Sequence, residues 1–318
     1  MSAPEPAPIR PRRAIRIILI LLGFGLLAWF TWLSHEELSR LIANCDIGLL
    51  TLSIILGIAF TFIQAVLFAA LVHKHGNQTG KQILASAYLV SQPGKYIPGK
   101  VWSLAMQSLA MGNRVRISHI TFANIELAIV STIQTVTMGV ALLYFDSPLI
   151  AILAFIAGLI ACTIAVVFPL ASWLKRLAPR LSSAAGLSTV QAGVDHPGIP
   201  RAIGLNAASM TTNMAAAWCV LLAAGSGIPD ADRLPILSSI YLGIAAGILA
   251  LPIPAGLGVR EAAAAGLGAL LSPTVSAPMI ISVSLLFRCW QIPVDIGCTV
   301  LGALLTRHEK VVDSQHPD

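Results

Sequence analysis

Of 318 residues, 56% are hydrophobic and only 11% are charged, against about 25% charged in soluble domains. Twenty basic and fourteen acidic residues are too few to cover a soluble particle of this size, and a mean hydropathy of +0.82 points to an integral membrane protein. The net charge of +6 is too small for a nucleic-acid partner; in a membrane protein the cations instead report which side each loop faces.

The first 13 residues are rich in Pro and Arg and need no packed structure. Ala14 to Leu33 follows as an apolar run of spanning length ending in Trp29 and Trp32, as an interfacial aromatic belt does. It reads as an uncleaved anchor rather than a signal peptide, because it is long for that role and no small-x-small site precedes His35. Further full-length runs are Ile47 to Val72, Ser118 to Phe145, Leu149 to Trp173, Ala202 to Gly225 and Met279 to Leu305. Cys45, Cys162, Cys219, Cys289 and Cys298 are scattered, without metal or redox spacing.

Two apolar stretches are interrupted. Between Lys81 and Arg114 the string from Gln92 to Lys100 separates Ile83–Val90 from Val101–Met111; as helices these pieces would reach about 12 and 16 Å, short of a core of about 30 Å. Between Arg233 and Pro273, the string from Pro252 to Gly258 separates Leu234–Leu251 from Val259–Leu271. Both stretches read as re-entrant hairpins of two half-helices.

With the N-terminus cytoplasmic, fourteen basic residues fall inside (Arg10, Arg12, Arg13, Arg16, Lys74, Lys81, Arg114, Arg116, Lys175, Arg176, Arg180, Arg201, Arg307, Lys310) and two outside (Arg40, Arg233). This bias survives only if each hairpin returns to the side it left. The expected fold is therefore all-α and polytopic, with six full transmembrane helices plus two re-entrant half-helix hairpins in an inverted repeat. Its parts are a tail and anchor (1–46), a first repeat (47–173, hairpin 81–114), a cytoplasmic linker (174–200), a second repeat (201–306, hairpin 233–273) and a cytoplasmic tail (307–318). The sequence echo between repeats is slight: Tyr88 precedes Pro98 by ten residues, and Tyr241 precedes Pro252 by eleven. An inverted repeat with a broken segment in each half points to a transporter whose site lies near the midplane.

Each break is followed by a helix starting inside the membrane, after Gly99 and after Gly258. Such termini offer free N–H groups and partial positive charge to a phosphate or carboxylate. Lys95 and Lys100 stand at the first break and Arg260 at the second. Glu126, Arg288 and Asp295 are ionisable residues within full spans, where such groups face a cavity or a partner. Glu126 and Arg288 join the ligand candidates; Asp295 is left out. Neutralisation in pairs, Glu126 with Arg288 or Glu261 with Arg260, is the purely structural alternative. His73 and His75 read as a solvated interfacial pair. No HExxH, GxSxG or P-loop string occurs, so neither enzyme chemistry, a cofactor nor a metal is expected.

Gly94-Lys95-Tyr96-Ile97-Pro98-Gly99-Lys100-Val101-Trp102 resembles the GKYxPGxxW signature of the lysylphosphatidylglycerol synthase transmembrane region, a flippase-like family. Pro252 to Glu261 is similar to its P-x-P-x-G-x-G-x-x-E element. The resemblance covers roughly Ile47 to Leu305. It implies a membrane domain that binds or moves lipids with large polar headgroups, such as aminoacylated phospholipids or polyprenyl-linked sugars. Lys95, Tyr96, Pro98, Gly99, Lys100, Pro254, Gly256, Gly258, Arg260 and Glu261 occupy the motif positions. Bifunctional members add a soluble aminoacyltransferase domain, whereas this chain ends at Asp318. The expectation is thus a stand-alone lipid translocator of the cytoplasmic membrane, with a membrane lipid as substrate, a separate lipid synthase or glycosyltransferase as partner, and room for a homodimer. A proton-coupled transporter of a small soluble anion and a non-transporting accessory of a glycolipid enzyme are the alternatives.

Overall fold

The computed structural model describes residues 25, 27–96, 102–168, 198–225, 228–250 and 256–315, with side chains described to residue 307. The N-terminal tail, most of the anchor run, the 174–200 linker up to residue 197, and Pro98, Gly99, Lys100 and Pro254 lie outside these residues. The described residues form helices and no strand. Residues 27–33 are helical, and Trp29 and Trp32 are exposed with ring centroids 5.5 Å apart. Next comes α1 (His35–Ala43), which the sequence reading did not anticipate; Glu36 and Glu37 open it and Arg40 lies in its last turn, as the helix dipole favours.

The long helices follow the apolar runs. In α2 (Ile47–Lys74), Asp46 caps the start by accepting from the Gly48 and Leu49 N–H groups at 2.8 and 3.0 Å. α5 (Ile117–Leu143) and α6 (Pro148–Val167) come after the first interrupted stretch, α6 beginning on a proline that fits the first turn. α7 (Ile199–Ala223), α8 (Asp230–Leu249) and α10 (Ala277–Gln315) belong to the second half of the chain. Among the described residues, five helices are long and apolar enough to cross a membrane: α2, α5, α6, α8 and the Ala277–Arg307 part of α10. At 25 residues, α7 has the length, but Asn206, Ser209, Thr211, Thr212 and Asn213 lower its hydropathy.

The two interrupted stretches differ from each other. The first folds as α3 (Lys81–Val90), a 3₁₀ segment (Gln92–Tyr96) and α4 (Trp102–Met111); helices of 10 residues reach about 15 Å, so neither arm crosses alone. The second folds as α8 and α9 (Val259–Leu271), of 20 and 13 residues. With Pro235 accommodated as its sixth residue, α8 begins upstream at Asp230 and reaches about 30 Å, longer than the half-helix expected from sequence.

Packing crosses between the halves reciprocally. The most extensive helix–helix contact joins α2 and α7, while α5 runs along α8 and α10 along α3. Small residues permit the close approach: a Cβ on Gly139 of α5 would lie 2.7 Å from Leu242 of α8, and one on Gly302 of α10 would lie 2.9 Å from Leu89 of α3. One buried apolar cluster joins α1, α5, α7, α8 and α10; another joins α2 to α6 and the start of α7. α6 lies at the periphery, with only 22% of its most apolar window buried.

Candidate functional site

α10 carries the site. About three turns into it stands Arg288, and about two turns further, on the same face, stands Asp295. Each reaches one of the two breaks. Arg288 donates from Nε to Glu261 Oε1, and from Nη2 to Glu261 Oε2 and to the Gly256 carbonyl, both at 3.3 Å. Asp295, 2% exposed, accepts from Lys95 Nζ at 2.8 Å and from the Tyr96 hydroxyl at 2.5 Å. The Lys95 ammonium also lies 5.5 Å from the Tyr96 ring centroid.

The second break is shaped by glycine. Gly256 and Gly258 have φ of 62° and 77°, the left-handed region that side chains disfavour. A Cβ on Gly256 would lie 2.5 Å from Gly247 Cα, so the break rests directly on the α8 backbone. The α9 terminus that follows is not left open to an outside anion: Glu261, fully buried, folds back to accept from the Gly258 N–H at 3.0 Å. The protein's own carboxylate takes that place, with Arg288 holding it.

Arg260 is arranged differently. It is 8% exposed, its Nε has no hydrogen-bond partner, and none of the ion pairs among the described residues includes it. Tyr96 lies within electrostatic reach of both Arg260 and Arg288, so the first break faces the second. Among the described residues, Lys95, Arg260 and Arg288 thus meet two carboxylates, Asp295 paired with Lys95 and Glu261 paired with Arg288. Of these three cations, Arg260 is the one without an ion pair. A buried guanidinium in that state favours a ligand anion, because desolvation has been incurred without a counter-charge.

Lys95, Tyr96, Gly256, Gly258, Arg260, Glu261 and Arg288 are therefore brought to one place. Glu126 is not: it lies 1% exposed on α5, paired with Lys74 at 3.0 Å. Neither pairing offered by the sequence occurs, since Arg288 takes Glu261 and Lys74 takes Glu126. His75, read from sequence as solvated, is 2% exposed beside Glu126. Asp295 is the residue that sequence reasoning left out of the ligand set. Its seven-residue spacing from Arg288, which places both on one helical face, was the available signal.

No curated protein and no solved structure matches the chain. The family model described as the lysylphosphatidylglycerol synthase TM region matches residues 15–294, which takes in both breaks and Arg288 of α10 and stops one residue short of Asp295. On that match the chain belongs to the lysylphosphatidylglycerol synthase TM-region family.

Proposed function

We propose that the protein binds a lipid with an anionic headgroup and moves it across the cytoplasmic membrane, without covalent chemistry of its own. The observation that carries this reading is Arg260, a buried guanidinium with no carboxylate of its own at the meeting point of two broken segments. The headgroup phosphate sits on Arg260, with Arg288 and Glu261 fixing the surrounding backbone. The acyl or prenyl chains stay in the bilayer. Tyr96 supports a lipid over a small soluble anion: its hydroxyl binds buried Asp295, yet 45% of the residue is exposed, so the ionic group has an opening at the protein surface through which a headgroup could enter while its chains stay outside.

The architecture proposed for this activity is an inverted repeat of α2 to α5 and α7 to α10, with N- and C-termini cytoplasmic, six full spans including the anchor, and the two interrupted stretches re-entrant. Reciprocal packing supports it. Tyr88 stacks on Phe68 of α2, and the Tyr241 hydroxyl donates to the Asn213 carbonyl of α7. The next residue in each half, Leu89 or Leu242, meets a glycine on the last helix of the opposite half. Rocking of the halves would expose the site alternately to the two leaflets.

Headgroup accessibility in proteoliposomes tests the reading. Arg260→Met should slow translocation by at least about tenfold, the equivalent of one lost charge-assisted contact. Wild-type rates in Arg260→Met would remove Arg260 from the headgroup site.

A further inference from the structure

A second ionic group lies apart from the headgroup site, where α2, the first half of α5 and the end of α6 meet. Lys74 uses its three N–H donors on Glu126 Oε1 at 3.0 Å and on the Val166 and Phe168 carbonyls at 2.8 and 2.6 Å. Glu126 Oε2 faces His75 Nε2 at 3.2 Å, and neither atom has a hydrogen-bond partner. Lys74, His75 and Glu126 are each no more than 2% exposed. Two orphaned buried heteroatoms at hydrogen-bonding distance are costly; with the ring proton of neutral His75 on Nδ1, Nε2 and Oε2 are both acceptors, and one proton taken up between them satisfies both.

Among the described residues, the groups packed around this pair are these. On α2, His73 is bonded to the Thr79 carbonyl at 2.7 Å. On α5, His119 lies buried about two turns before Glu126, and Phe122 presents its ring to His75 at 6.0 Å. α6 contributes the Cys162 thiol, bonded to the Val130 carbonyl, and no charged side chain among its described residues. Lys81, Arg114, Arg116 and Arg201, on the neighbouring segments, are exposed.

We propose that Glu126 and His75 form a proton-binding site whose loading from the aqueous phase at this end drives lipid movement; this rests on the transport reading above. Unloaded, Glu126 is held by Lys74 alone. Loaded, it shares the proton with His75 and its attraction for Lys74 falls, while Lys74 keeps the α6 carbonyls. α2 lies along α7 and α5 along α8, the contacts that join the two halves. One proton therefore biases how the halves sit.

Infrared pH-difference spectroscopy on the purified full chain reads the proton directly. A pH-dependent carboxyl or imidazole signal should vanish in Glu126→Gln and shift in His75→Gln. In proteoliposomes, an imposed proton gradient should speed wild-type lipid translocation, by up to about tenfold per pH unit. His75→Gln, which leaves the Lys74–Glu126 pair intact and so preserves the fold, should move lipid at a rate insensitive to the gradient. An infrared difference unchanged in Glu126→Gln, or a full gradient response in His75→Gln, overturns the proposal. A wild type that moves no lipid at any pH, yet keeps the Glu126 signal, removes the lipid reading and supports the proton site by itself.

Discussion

Arg260 and Glu261 are sequence neighbours in opposite situations, and that difference predicts opposite effects of mutation. Glu261 is fully buried and neutralises Arg288, so Glu261→Gln leaves a guanidinium without its carboxylate and should destabilise the fold by about 3–5 kcal/mol. Arg260 has no such partner, so Arg260→Met removes an uncompensated charge and should raise stability by about 1–3 kcal/mol while slowing transport. Thermal unfolding in detergent separates the two; a fall in midpoint for Arg260→Met would mean that the native site already balances that charge. The sequence placed Arg260, Glu261 and Arg288 at a site by their depth and their motifs. It could not assign partners, because a choice between two carboxylates for Arg288 depends on which helices touch. Glu126 looked equally exceptional along the chain, but α5 turns it towards the end of α2, away from α10.

Among elements, hydropathy located α2 and α5 to within a few residues, since an apolar run of spanning length has few other ways to fold. The extent of α8 was less legible. A break marked by Pro252 and Gly256 says where a helix ends, whereas its start lies upstream of Pro235, a residue that ordinarily marks a helix beginning and here stands sixth in the helix. The reciprocal glycine contacts give the repeat a test at this scale. Gly139→Leu and Gly302→Leu each put a side chain where even a Cβ would lie within 3 Å of the facing helix, α5 against α8 and α10 against α3. Each should cost about 1–3 kcal/mol, and the two should be alike in thermal unfolding if they occupy equivalent positions. A large cost at one glycine and none at the other would argue against equivalence of the two crossings.

At the scale of the molecule, α10 ties the two breaks together with links of unequal strength. Glu261 and Arg288, with side chains 0% and 19% exposed, form an enclosed pair within the second half. Lys95 joins Asp295 across the halves with its side chain 32% exposed, while the Asp295 side chain is 3% exposed. The second break is thus held to α10 at both ends of its pair, and the first is the one whose cation already reaches the surface and can part from α10 once another cation or a proton takes its place on Asp295. If transport requires that parting, holding the first break against α10 should stop it. In a chain whose five native cysteines are replaced by serine or alanine, Lys95→Cys with Asp295→Cys provides the anchor points for a short bifunctional thiol reagent. Cross-linking should abolish lipid translocation, and reduction of a cleavable linker should restore the rate of the untreated double variant. Lipid binding, read by retention of a labelled anionic lipid on the detergent-purified protein, should persist while the link is closed, because Arg260 is untouched. Translocation that continues at its full rate with the link closed would show that the first break does not move relative to α10, and the moving element would then have to be sought at the α2–α7 contact.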